Sequence, residues 1–450
     1  MRRIEYILVV LAVSCVCQAR VITVDDDGPA DFATIQAAID DANNSDVVIV
    51  AEGTYRGLGN RDIDFKGKAI TVRSKDPNDP GVVERTVIDC QGTEKDPHRG
   101  FYFHRYEGPD SVLEGLTIKN GYAREEEIPF TGIPWPLFVY DGGAIWCLRA
   151  SPTISKCLLV GNFSLLDGGA IAVVDAQPHI VGCRITGNTA WGFGSGIAFV
   201  EVTSGKPIIP EVRGCLISEN KADGAGAVAC VAPLGGDITR IKPLIENCKI
   251  VGNSEGLAGL FDCDGVIRDC IIASNYWGGL SSCDGTIINC TIWGNSGKGA
   301  GQCQAKITNC IIWGNGDDLF MSSASYSCIE DNDTGIGNIH VDPCFVGPDK
   351  GDFHVKSQAG RWDHDTESWV KDNVTSPCID GGDPDSPIGL EPFPNGGRIN
   401  MGAYGGTAEA SKSYFGGPVC ETIIAGDING DCVIDVRDFV ILAAHWLQEY

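Results

Sequence analysis

The chain has 450 residues, with 34 Lys and Arg against 60 Asp and Glu, a formal net charge of −26. That charge argues against nucleic acid and anionic membrane as partners, and against a bare polyanionic glycan unless Ca2+ bridges the two negative surfaces. Gly reaches 58 and Cys 20, which fits a turn-dense chain rather than a helical one.

Residues 1–19 read as a secretory signal peptide: Arg2 and Arg3, an apolar run from Ile7 to Val16, then Cys17-Gln18-Ala19 as the cleavage site. A lipoprotein attachment at Cys15 fits less well, because Ala12 stands where a bulkier aliphatic is preferred. Cleavage removes two Arg and one Glu and leaves a charge of −27. No later apolar run is long enough to span a bilayer, so the expected product is secreted or held at the cell surface. Its 18 remaining cysteines fit an oxidising compartment.

Val21–Val24 reads as a strand. Asp31 is placed to N-cap a helix over Phe32–Ala42, whose Ile35, Ala38, Ile39 and Ala42 form one apolar stripe. Val47–Val50 reads as a strand closed by Glu52-Gly53-Thr54-Tyr55. Residues 63–120 form irregular short strands. An acidic, aromatic-rich insertion spans 122–141, and Thr203–Pro210 and Pro233–Pro243 lengthen two later units. Insertions of this size on a compact scaffold are functional or capping.

The centre of the chain repeats one phrase. Cys248…Asn253, Cys270…Asn275, Cys290…Asn295 and Cys310…Asn315 follow one another at spacings of 22, 20 and 20 residues, and Cys157…Asn162, Cys183…Asn188 and Cys215…Asn220 precede them. A fixed period near 20 residues with a turn after each Gly-Asn predicts three short strands per repeat and no helix. Such repeats stack as coils about 4.8 Å apart. Every repeat position then becomes a column. The Asn column predicts an amide ladder. The Cys column predicts inward-facing thiols, and Cys263, Cys283 and Cys303 form a second column, with neighbours close to disulfide distance.

The stretch Phe32-Ala-Thr-Ile-Gln-Ala-Ala-Ile39, Val47–Val50 and Gly53-Thr-Tyr55, followed by these repeats, resembles secreted right-handed parallel β-helix proteins, the pectate-lyase-like superfold. The resemblance covers roughly 21–410 and implies an all-β solenoid over 20–415, with an N-terminal helix cap and an irregular closing region over 328–415. It implies no single activity, because that superfold hosts lyases, hydrolases, esterases and adhesins. Its polygalacturonase signatures are missing.

Residues 420–450 form a separate tail. Asp427, Asn429, Asp431, Asp435 and Asp438 occupy positions 1, 3, 5, 9 and 12 of a loop, with the Val433 carbonyl at position 7. That is the oxygen spacing of a Ca2+ loop. The loop and the following Phe439–Leu447 resemble half of a dockerin, which implies a cohesin-like or surface partner. Cys432 stands where Gly is usual, and a Cys420–Cys432 bridge is one way to staple the tail.

Two further candidates concern a glycan. Asp264 and Asp284 sit one coil apart, so stacking brings them together. Paired carboxylates suit a retaining glycosidase, a shared Ca2+ or a plain turn; Asp141 and Asp167 form a similar pair. Trp293 and Trp313 stack in outward register, which suits a sugar face or burial under the closing region. Two functions fit these features. One is an exported protein that binds, and as an enzyme cleaves, an extracellular polysaccharide as lyase or glycoside hydrolase. The other is a non-catalytic surface scaffold.

Overall fold

A computed structural model describes residues 19–123, 125–128, 137–139, 141–202, 206–232, 237–416, 425–428 and 433–446. The chain winds into a right-handed parallel β-helix with three long sheets. Sheet A has 12 strands, from Val21–Val24 to Ala324–Ser325; sheet B has 11, from Gly53–Tyr55 to Cys328–Ile329; sheet C has 10, from Ile63–Asp64 to Asp317–Phe320. Each coil visits C, A and B in that order, and each strand pairs in parallel with its counterpart one coil away, as Ile292 does with Ile312. Among the described residues no helix is long and apolar enough to cross a membrane.

Alternation along three-residue strands aims one side chain inward. Ile245, Ile267, Ile287 and Ile307 therefore stack beneath sheet A, and Ile250, Ile272, Ile292 and Ile312 beneath sheet B, all at 2% exposure or less. The polar ladders run at the corners. Asn188 Nδ2 donates to Asn220 Oδ1 at 3.0 Å, and the same bond recurs from Asn162 to Asn315, where Asp318 Oδ1 closes the series.

The cysteines form ladders of the same kind. Cys290 N–H donates to Cys310 Sγ at 3.4 Å, while Cys310 Sγ–H donates to Thr308 O at 3.3 Å. In the last coil Ser327 Oγ takes the thiol's place, accepting from Cys310 N, and Ser322 Oγ does so for Cys303. Cys270 and Cys290 in the core have thiols pushed up by burial. All 16 described cysteines are free thiols, and Cys215, Cys270, Cys303 and Cys310 accept a backbone N–H from the preceding coil. Cys420 and Cys432 lie outside the described residues, as does the signal segment up to residue 18.

The first helix is shorter than its stripe. It runs Ile35–Asp41 and buries Ile35, Ala38 and Ile39 against the first strands. Asp31 is not its cap: that carboxylate accepts from the Thr23 N–H and hydroxyl. The orphan N–H of Ile35 instead donates to Asn60 Oδ1 at 3.0 Å. A second helix, Pro80–Arg85, escaped the sequence reading. Asp79 caps it through the Gly81 N–H, and Pro80 occupies its first turn. Within the insertion, Glu126–Ile128 pairs antiparallel with Leu137–Val139.

Candidate functional site

Both acidic pairs sit at coil corners and do the same structural work. Asp264 Oδ1 accepts the Asp284 N–H at 2.8 Å, and Asp284 Oδ1 accepts the Gln304 N–H at 2.7 Å. Asp141 Oδ1 accepts the Asp167 N–H at 3.0 Å, and Asp167 Oδ1 accepts the Phe193 N–H at 2.7 Å. In each pair one oxygen ties neighbouring coils where the sheets are interrupted. Each carboxyl keeps a second oxygen.

The two corners differ in burial. Asp264 lies 3.6 Å from Lys242 and Asp284 is exposed. Their neighbour Asp262, which the sequence reading passed over, is half-buried. Burial, and then the charges of Asp264 and Asp284, push its carboxyl up to about 6. This corner thus gathers three carboxyls and a lysine. At the other corner Asp141 is 1% exposed. Burial first, then the Asp167 charge, raise its carboxyl, and burial raises Asp167 as well. The buried Arg99 opposes this; its guanidinium lies 4.7 Å from the Tyr102 ring and 5.5 Å from Trp146. Gly192 is required here, because a Cβ at that position would stand 2.3 Å from Asp167 Oδ1.

The stacked pair Trp293 and Trp313 is in register on the outer face of sheet B. There it packs with Val251, Ile271 and Ile311 against Phe345, Phe353, Met401 and Ala403 of the closing region. Trp293 meets Phe353 edge to face at 5.6 Å. Gly402 makes this approach possible: its Cβ would fall 2.7 Å from Ile311, and its φ is +93°. The closing segment is thus the cover, while its own Trp362 and Trp369 pair with each other in the hairpin Arg361–Val370.

Several exposed aromatics lie instead on the turn that leads from sheet B into sheet C; Tyr106, Phe439 and Trp446 are exposed away from it. Trp191 is 57% exposed, Tyr276 55% and Trp277 57%, with Leu257 at 54% on the coil between. Trp191 meets Phe163 at 5.6 Å, and Phe163 stacks on Tyr122 at 4.7 Å. All follow a ladder Asn within a few residues, and that offset was the available signal. From Trp191 to Tyr276 is three coil steps, about 15 Å. The Asp141–Asp167 corner borders the same turn through Phe193 and Gly192.

In the tail, the helix Val436–His445 begins with a capping box between Asp435 and Asp438. Asp438 is 2% exposed and Asp427 4%. The Asp438 carboxylate reaches back to the start of the loop, accepting from Ile428 N and Asp435 N at 2.7 Å each. Position 12 therefore bonds the backbone of Ile428, the residue after position 1. Asp435 turns to Arg437 at 2.8 Å, and Val433 is exposed. Asn429 and Asp431 lie outside the described residues.

Three long parallel sheets stacked without a break define a pectate-lyase-like parallel β-helix. Comparison with known proteins agrees: the chain is similar to pectate lyase Pel9A, with a TM-score of 0.52 and 16% identity over 85% of this chain and 96% of that one. It also aligns with the Azotobacter vinelandii mannuronan C-5 epimerase AlgE6 A-module, at a TM-score of 0.25 and 13% identity over 68% of this chain and 90% of that one. A family model described as disaggregatase related matches residues 214–382, less than half of the chain. No curated protein sequence matches. At 16% identity the likeness to the pectate lyase is one of fold.

Proposed function

We infer that this is an exported glycan-binding β-helix, held to a partner or surface by a Ca2+-loaded tail. The observation that carries the reading is the line of exposed Trp191, Leu257, Tyr276 and Trp277 along one turn of a rigid solenoid. Flat aromatic faces at the two ends of this line, with Leu257 between them, suit the apolar faces of sugars about three coils apart. The likeness to a pectate lyase supports a polysaccharide ligand. The net charge of −26 favours a neutral glycan, or an acidic one with Ca2+ between. In the tail, Asp427, Asn429, Asp431, Asp435, Asp438 and the Val433 carbonyl would hold the Ca2+, and the dockerin resemblance supports a cohesin-like partner. Among these, Asp435 must turn from Arg437 toward the loop.

Cleavage is the second reading, and Asp262 favours it. A carboxyl raised to about 6 beside two further carboxyls supplies an acid and a base in one place. The test is a panel of neutral and uronic glycans, scored for binding by affinity electrophoresis and for cleavage by new reducing ends. Binding without new ends supports the first reading. New ends that disappear in Asp262→Asn establish the second. A folded protein that retains none of the glycans is a scaffold.

A further inference from the structure

The closing region contains a histidine that neither reading uses. His354, in the strand Asp352–Val355, is 1% exposed. Two neighbours fix its ring: Nδ1 lies 2.7 Å from Asp352 Oδ1, and Tyr404 stacks on its face with centroids 3.7 Å apart. The other ring nitrogen, Nε2, is buried and makes no hydrogen bond. It points toward Glu409, whose Oε2 is 3.5 Å away. His364 Nε2 approaches the same oxygen from the exposed side at 3.2 Å. These ligand-type atoms all lie within 4.8 Å of one another.

Proton accounting makes the arrangement informative. Asp352 can only accept, so Nδ1 carries the proton in the neutral ring, and Nε2 then presents a lone pair. A buried lone pair facing a carboxylate is unfavourable unless a proton or a metal cation sits between them, and the exposed His364 at the same oxygen favours the metal. The distances suit one. Tetrahedral Zn2+ with bonds of about 2.0–2.1 Å holds neighbouring ligand atoms about 3.3 Å apart. A carboxylate on the far ring nitrogen is also what orients a metal-bound histidine.

We propose that His354 Nε2, His364 Nε2 and Glu409 Oε2 form a site for one Zn2+-class dication, with a fourth position open to water. Two imidazoles and a carboxylate select a borderline transition metal over Ca2+, which separates this site from the all-oxygen tail loop. The ligands come from the strand Asp352–Val355, the turn of the hairpin Arg361–Val370 and the segment after Tyr404. The ion therefore clips together the layer that covers sheet B.

The test is titration of the metal-free full chain with Co2+ and then Zn2+, in excess Ca2+. The expected result is one Co2+ per chain with tetrahedral-type visible absorption, displaced by Zn2+ and untouched by Ca2+. His364→Ala and Glu409→Gln should each weaken Zn2+ binding about tenfold or more. Both side chains are substantially exposed, at 56% and 40%, so these variants should fold, as circular dichroism would verify. His340→Ala, outside the cluster, should bind as the parent does. Failure to bind Zn2+ at micromolar concentration, or binding unchanged in His364→Ala and Glu409→Gln, would overturn the proposal.

Discussion

At the scale of single residues, this fold solves one problem repeatedly: a backbone N–H at a corner has no strand to bond. Asn, Cys, Ser and Asp side chains each supply the missing acceptor. The Asn ladder could be read directly from spacing. The acceptor role of sulfur could not, because an inward Cys in sequence looks like any small apolar residue. The role predicts an order of tolerance. Cys310→Ser should stay close to the parent in urea unfolding, as Ser327 does the same work one coil on. Cys310→Val should lose about 1–3 kcal/mol, because it strands the Cys290 N–H. The buried corner predicts a pH dependence. Asp141 and Asp167 have raised carboxyls, so the folded state holds protons that the unfolded chain has released. Their contribution is full in acid and falls as the pH rises from about 4 through neutrality. Asp141→Asn keeps the oxygen that accepts the Asp167 N–H but cannot ionise. Its stability should therefore lose less over that interval than the parent's, in melts across pH.

At the scale of elements, local signals placed strands well and caps poorly. Asp31 has the composition and position of an N-cap, yet it serves Thr23, and the helix is capped by Asn60 from 25 residues away. A tertiary acceptor of this kind leaves no local trace. Asn60→Ala should cost about 1 kcal/mol in thermal unfolding. The equivalent change at Asp31 should leave the helix cap intact. In the tail, local pattern placed a helix, which begins at Val436 rather than Phe439. Asp438 joins loop to helix through two backbone N–H groups. Ca2+ should therefore raise the tail's protection from proteolysis, and Asp438→Ala should abolish that response. An identical digestion pattern with Ca2+ and with chelator would count against the cation loop.

At the scale of the whole molecule, the 20-residue period was enough to give the solenoid, because each coil contributes one strand to each sheet. The period could not say which outward residues stay outward. Trp293 and Trp313 obey the alternation, but the closing region packs over them. That cover is built from Phe345, Phe353, Met401 and Ala403, which carry no repeat. Trp191, Tyr276 and Trp277, which stay in solvent, stand in turns, where alternation has no meaning. The proposed glycan surface is accordingly the Trp191–Trp277 edge. The most direct test is isothermal titration of the glycan retained most strongly, with the parent, with Trp191→Ala/Trp277→Ala and with Trp362→Ala. The edge reading predicts about a tenfold loss of affinity in the double variant, about 0.5–1.5 kcal/mol per lost stacking face, and parental affinity in Trp362→Ala. Undiminished binding by a folded double variant would place the glycan elsewhere and contradict the account.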